Sequence, residues 1–108
     1  MGFKKIIRRC FEHTPHDPKP VLGLLGKQME ETGELAEATL HSQGYLPHKT
    51  MKEPLVGEVA DVILCAIALY ARLCDEEYCL SIDEGMEELK AHLDRKMTKW
   101  QTVAPVIL

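Results

Sequence analysis

Six acidic side chains occur at helical spacing in two separate segments of the sequence. They are Glu30, Glu31, Glu34 and Glu37 in the first segment, and Glu58 and Asp61 in the second. Residues three or four positions apart share one surface of an α-helix, and each like-charged pair there destabilises the helix by about 0.2–0.5 kcal/mol. A hard divalent cation with oxygen ligands removes this repulsion. The spacing therefore favours a Mg²⁺ or Mn²⁺ site formed by Glu31, Glu34, Glu58 and Asp61.

The segment around Glu58 and Asp61 supports this hypothesis because it is otherwise apolar. Fifteen of the nineteen residues from 55 to 73 are apolar, a pattern typical of a central helix that is buried nearly all round. At least one of the two carboxylates should then point into the protein, where an unpaired charge is very costly. A simpler interpretation stays open: residues 30–37 form a solvated helix face, and Glu58 and Asp61 interact favourably with a helix dipole.

Prolines divide the chain into four segments that carry apolar residues at helical spacing. The predicted helices cover residues 2–13, 20–42, from between 50 and 54 to 73, and 81–101. We expect the second helix to stop at Gly44 in a left-handed conformation, and the fourth to begin with a capping box of Ser81 and Glu84. The predicted fold is all-α, with one short and three longer helices in an antiparallel bundle. Only the apolar tail, residues 103–108, suggests a strand, and we expect it to pack on a neighbouring subunit or back over the bundle.

Two segments of the sequence resemble one known family. Residues 27–38 (KQMEETGELAEA) resemble the Glu-Glu-x-x-Glu element of the MazG-like, all-α nucleoside triphosphate pyrophosphohydrolases. Residues 58–64 (EVADVIL) are similar to the second element of that family, in which Glu-x-x-Asp runs into an apolar helix. The resemblance covers about residues 20–100. It implies an all-α homodimer or homotetramer that uses Mg²⁺, or Mn²⁺ as a substitute, to hydrolyse (d)NTPs to the monophosphate and pyrophosphate in nucleotide-pool housecleaning.

The resemblance also implies roles for the acidic residues. Glu31, Glu34, Glu58 and Asp61 would be metal ligands, and Glu30 or Glu37 would orient or deprotonate the attacking water. The metal would neutralise the triphosphate and lower the pKa of bound water. Phosphoribosyl-ATP pyrophosphohydrolase, a relative with similar acidic motifs, is an alternative activity. A non-catalytic helical module whose acidic row binds a basic partner is the alternative from a different class.

Three lysines are candidates for binding the substrate phosphates as point charges. They are Lys27, Lys96 and Lys99. The family often places an Asn in the basic cluster after its third long helix, but residues 95–100 (RKMTKW) contain none. Lys96 and Lys99 also fit a solvated face, and Lys27 also fits neutralisation of Glu31.

Length and charge set further limits on the function. The 108 residues suffice for one domain, and the formal net charge of −4 argues against a nucleic-acid binder held by bulk positive charge. The longest apolar run, residues 62–71, is too short to span a bilayer. The basic start of the chain is not followed by the apolar stretch of a signal peptide. We therefore expect a cytoplasmic protein whose four cysteines are thiols.

Overall fold

The computed structural model describes residues 2–48, 50–51 and 53–103, and the protein in this part of the chain is all-helical. Its helices are α1 (Phe3–His13), α2 (Val21–Ser42), α3 (Leu55–Glu76) and α4 (Ile82–Val103). A short 3₁₀ turn, Thr14–His16, follows α1. The prediction of one short and three longer helices is confirmed. The helix ends are displaced by at most three residues, except for the start of the third helix, which was expected between residues 50 and 54 and lies at Leu55. Of the tail expected at residues 103–108, Val103 ends α4 and the rest lies outside the described residues.

Local sequence signals set the helix ends as expected. Gly44 adopts a φ of +83°, and the amide of Tyr45 donates to the carbonyl of Leu40 at 2.9 Å, which closes α2. At the start of α4, the Ser81 amide donates to Oε1 of Glu84 at 2.9 Å. The Glu84 amide donates in return to Oγ of Ser81 at 3.1 Å. These reciprocal bonds are the predicted capping box.

Helices α2 and α3 form an antiparallel hairpin. Arg72, near the end of α3, donates from Nη1 to the carbonyl of Lys19, just before α2, at 2.7 Å. Its Nη2 donates to the carbonyls of Thr14 at 2.7 Å and Asp17 at 2.8 Å. One buried guanidinium therefore holds the connection between α1 and α2 against the end of α3. The same antiparallel arrangement brings the middle of α2 beside the first turns of α3.

The apolar core lies where α1, the second half of α3 and the first half of α4 meet. Its buried members are Phe11, Ala71, Cys74 and Met86. The rings of Phe11 and Tyr70 meet edge to face with their centroids 6.1 Å apart, a favoured aromatic geometry. Gly85 allows this close packing, because a Cβ at that position would lie 2.9 Å from Cε2 of Phe11.

The expectation that α3 is buried nearly all round is wrong for a single chain. Helix α3 is central, since it packs against each of the other three helices. However, Val56, Val59 and Ile63 in its first half are exposed. The reason is the position of α4, which packs on α1 and α3 by its first half and, among the described residues, makes no contact with α2. The Cα radius of gyration is 16.4 Å, against about 13 Å for a compact domain of this length.

None of the helices in the described part of the chain has the length and apolar character needed to cross a membrane.

Candidate metal centre

The α2–α3 hairpin brings acidic residues from both segments of the sequence together. Single carboxylate oxygens of Glu31, Glu58 and Asp61 lie within 4.8 Å of one another. Glu30, Glu31 and Glu34 satisfy the same distance criterion along α2. Glu31 belongs to both groups and therefore joins them. We call the five residues the acidic cluster: Glu30, Glu31, Glu34, Glu58 and Asp61. The spacing of three within each helix, together with the antiparallel packing, accounts for this convergence.

Two carboxylates of this cluster are buried without full hydrogen bonding. Glu31 is 6% exposed and Glu58 is 9% exposed. In the described part of the chain, Oε2 of Glu31 and Oε2 of Glu58 have no hydrogen-bond partner. A buried carboxylate oxygen without a partner costs free energy unless it binds a proton or a cation. The orphaned oxygens and an all-oxygen donor set fit a hard divalent cation.

The surroundings of three carboxylates in the cluster shift their pKa values in different directions. Burial raises the pKa of Glu58, and the charges of Glu53, Glu34, Asp61 and Glu31 raise it further. The charge of Glu31 raises the pKa of Glu34. The pKa of Glu31 itself is lowered, chiefly by its hydrogen bond with Lys27. Glu58 and Glu34 therefore bind a proton more readily than Glu31 does when no divalent cation is bound.

Lys27 is the cation closest to the cluster on α2. Its Nζ lies 3.0 Å from Oε1 of Glu31 and 3.7 Å from Oε1 of Glu30. Of the two roles considered for Lys27, the structure shows the neutralisation of Glu31, whereas phosphate binding stays a prediction.

Glu53 is a member of this acidic surface that sequence reasoning missed. Its charge raises the pKa of Glu58, and its Oε2 lies 2.8 Å from the position that a Cβ on Gly57 would occupy. Glu53 precedes α3, in the stretch of residues 50–54 where the sequence left the start of the third helix open, so helical spacing gave no guide to the position of this side chain. The available signal is Gly57, whose missing side chain leaves room for the Glu53 carboxylate.

An open cleft of about 770 Å³ lies beside the cluster, between α1 and the hairpin. Lys27 and Cys65 line it at the end near the cluster. Burial raises the pKa of the Cys65 thiol, and the charges of Glu31 and Asp61 raise it further. Arg9 and Lys19 add positive charge to the lining, which also contains the carboxylates of Glu12 and Asp17. The apolar part of the wall includes Ile6, Leu24 and Leu64. The cleft thus offers apolar surface, three cations and two carboxylates to a ligand that reaches the acidic cluster.

The other candidate site residues lie further from this centre. Glu37, half-buried on α2, belongs to neither acidic group in the described residues. Lys96 and Lys99 are exposed on the second half of α4. Because α4 does not contact α2 in the described residues, one chain does not bring these two lysines against Glu31 and Glu34. Their predicted role in binding phosphate stays a prediction.

No protein-family model, curated protein or solved structure matches the chain.

Proposed function

We propose that the protein is a Mg²⁺-dependent nucleoside triphosphate pyrophosphohydrolase that converts a (d)NTP and water to the (d)NMP and pyrophosphate, acting as a homodimer or homotetramer. The observation that carries the proposal is the pair of orphaned, buried carboxylate oxygens on Glu31 and Glu58, with Asp61 beside them. Lys27 pairs with Oε1 of Glu31 only, so a purely structural role would leave the two Oε2 atoms to be satisfied by protons, whereas one divalent cation could bind both. The motif resemblance supplies the reaction class.

The proposed ligands of the cation are Glu31, Glu34, Glu58 and Asp61. When bound, a divalent cation supplies neutralisation of the phosphate charge and activation of water. Mn²⁺ has the same preference for oxygen ligands and is the expected substitute.

The attack of water on the substrate requires a residue that accepts the proton of that water. The reaction joins a water oxygen to the α-phosphorus and breaks the bond to the bridging oxygen, which leaves with pyrophosphate. Glu30 is the better placed of the two candidate bases, because its carboxylate lies beside those of Glu31 and Glu34 at the exposed edge of the cluster. We assign Glu30 to accept the proton of the water, with Glu37 as the alternative. Lys27 would contact a phosphate oxygen as a point charge.

The cleft beside the cluster is the proposed place for the rest of the substrate. Arg9, Lys19 and Lys27 provide cations for phosphate groups, and the apolar wall provides surface for a base and sugar. A ligand with both kinds of group matches this lining. An ATP that carries a phosphoribosyl group also matches, so phosphoribosyl-ATP is the second candidate substrate.

The direct experiment measures release of monophosphate and pyrophosphate from a panel of canonical and modified (d)NTPs and from phosphoribosyl-ATP, with and without Mg²⁺. We expect turnover only with the metal. Glu34→Gln and Asp61→Asn should abolish turnover while the far-UV circular dichroism stays unchanged. Glu77→Gln, which removes one exposed carboxylate just after α3, is the matched control and should keep the wild-type rate.

The alternative of a non-catalytic module makes a different prediction for the same samples. A helical module whose acidic row binds a basic partner would release no pyrophosphate, and Mg²⁺ would not change its unfolding temperature. Full activity in both Glu34→Gln and Asp61→Asn would contradict the site assignment even if the protein is an enzyme.

A further inference from the structure

Two cysteines from different helices line the cleft between α1 and the hairpin. Cys10 lies on α1 and Cys65 lies on α3, and both are free, half-buried thiols. The other two cysteines lie elsewhere: Cys74 belongs to the apolar core and is 2% exposed, whereas Cys79 is exposed in the connection between α3 and α4. A small oxidant that enters the cleft therefore meets Cys10 and Cys65 together.

The contact between α1 and α3 limits the distance between these two cysteines. Sγ of Cys10 donates a weak hydrogen bond to the carbonyl oxygen of Leu64 at 3.7 Å. By standard backbone geometry that oxygen lies about 2.8 Å from Cα of Cys65, and Sγ of Cys10 lies about 2.8 Å from its own Cα, so the two Cα atoms are at most about 9 Å apart. Because a disulfide joins Cα atoms up to about 6.8 Å apart, an approach of α1 by at most about 2.5 Å allows the bond to form.

The electrostatics of the two thiols agree with this proximity. Burial raises the pKa of Cys10, and the charge of Cys65 raises it further, an effect that decreases with distance. Burial and the charge of Glu31 raise the pKa of Cys65, and the charge of Lys27 opposes this shift. The thiolate is the form that reacts with oxidants, so Cys65, with an ammonium group nearby, should react first, and both thiols should react faster as the pH rises.

We propose that Cys10 and Cys65 form a reversible disulfide between α1 and α3 when the protein meets hydrogen peroxide. The Cys65 thiolate attacks one peroxide oxygen, the O–O bond breaks, and the sulfur becomes a sulfenic acid while the other oxygen takes up a proton and leaves as water. The Cys10 thiolate then attacks this sulfur and displaces hydroxide, which takes up the proton lost by the Cys10 thiol and leaves as a second water. The two sulfurs lose two electrons and two protons, which reduce one peroxide to two waters.

The disulfide would act on the cleft through the position of α1. Among the described residues, α1 packs on α3 and α4 but makes no contact with α2, so its contact with α3 sets the distance between α1 and the hairpin. The bond would fix that distance and narrow the cleft, and exchange with a thiol such as glutathione would restore the open form. This inference does not rest on the proposed function, since neither a metal nor a nucleotide takes part in the oxidation.

The experiment treats the folded wild-type chain with hydrogen peroxide, alkylates the remaining thiols in denaturant and identifies cross-linked peptides by mass spectrometry. We expect a peptide pair that joins Cys10 to Cys65 and disappears after treatment with dithiothreitol. The same oxidation of the chain unfolded in urea is the comparison. There the pair closest in sequence, Cys74 and Cys79, should cross-link in preference, because a short loop closes at a lower entropic cost than a long one.

Serine variants provide the matched controls. Cys10→Ser and Cys65→Ser should each abolish the cross-link, whereas Cys79→Ser should form it to the wild-type extent. Oxidation should raise the unfolding temperature of the wild type by at least about 5 °C, since the bond closes a loop that contains all of α2, and it should not do so in Cys10→Ser.

The peptide map of the wild type is decisive even if a serine variant does not fold. Absence of the peptide pair from the oxidised folded chain would overturn the proposal, as would sulfinic acid at Cys10 or Cys65 without a cross-link. Formation of the pair to the same extent in the unfolded chain would also overturn it, because the fold would then not be what brings the two thiols together.

Discussion

Replacing Arg72 tests how strongly one side chain fixes the wall of the cleft. The guanidinium is buried and donates to three carbonyls at 2.7–2.8 Å. Hydrogen bonds to charged groups contribute about 1.5–3 kcal/mol each. A lysine keeps the positive charge, but its side chain is shorter and it lacks the planar guanidinium with donors on two nitrogens. Arg72→Lys should therefore retain only one of the three hydrogen bonds. The expected loss is about 3 kcal/mol, a large share of the 5–15 kcal/mol that stabilises a typical domain.

The assay is urea unfolding monitored by circular dichroism. All variants are measured at one chain concentration, so that the proposed self-association would contribute equally to each measured stability. The transition midpoint should fall in Arg72→Lys with an unchanged slope. Arg72→Leu should cost about 3–5 kcal/mol, because it leaves three carbonyls unpaired. Glu76→Gln is the control: it removes only a half-exposed carboxylate 3.7 Å from Arg72, and it should change the stability by less than about 0.5 kcal/mol. A loss below about 1 kcal/mol in Arg72→Lys would refute the reasoning.

Three further predictions concern the acidic cluster and the core. Mg²⁺ should raise the unfolding temperature of the wild type, and Glu58→Gln should remove most of that increase in differential scanning calorimetry; an equal increase in the variant would contradict the assignment of Glu58 as a ligand. Without Mg²⁺, stability should fall as the pH rises from near 4 through the raised folded-state pKa of Glu58, because the folded state then binds more protons than the unfolded state. Urea midpoints across this range measure the effect, and Glu58→Gln should flatten the profile. Gly85→Ala should destabilise the protein by about 1–3 kcal/mol through its contact with Phe11, and wild-type stability in this variant would show that the core has room for the methyl group.

Local sequence signals predict most of the helical architecture. Periodic apolar residues locate the four helices, and Gly44 and Ser81 with Glu84 fix two of the helix ends. The approach of Glu31 to Glu58 and Asp61 is predictable as well, since it follows from helical spacing in two antiparallel neighbours. These features depend on interactions within one helix or between adjacent helices.

Features that depend on longer-range packing escape the sequence pattern. The sequence cannot give the direction in which α4 leaves α3, and this direction decides that Lys96 and Lys99 do not lie against α2. The apolar composition of α3 cannot distinguish burial by the same chain from an apolar face left exposed. Arg72 looks like an isolated charge in an apolar helix, and its carbonyl partners lie 53–58 positions away in the sequence.

The ion pair between Lys27 and Glu31 would link the binding of a divalent cation at the acidic cluster to the binding of an anion in the cleft. The ammonium group pairs with Oε1 of Glu31, and a divalent cation would bind the unpartnered Oε2 of the same carboxylate, so the two positive charges would repel each other across one carboxylate. Binding of the divalent cation would break this ion pair. The Lys27 side chain, which lines the cleft, could then bind an anionic ligand. Loading of the ion and capture of the anion would then be linked through a single mobile side chain, without any movement of the helices.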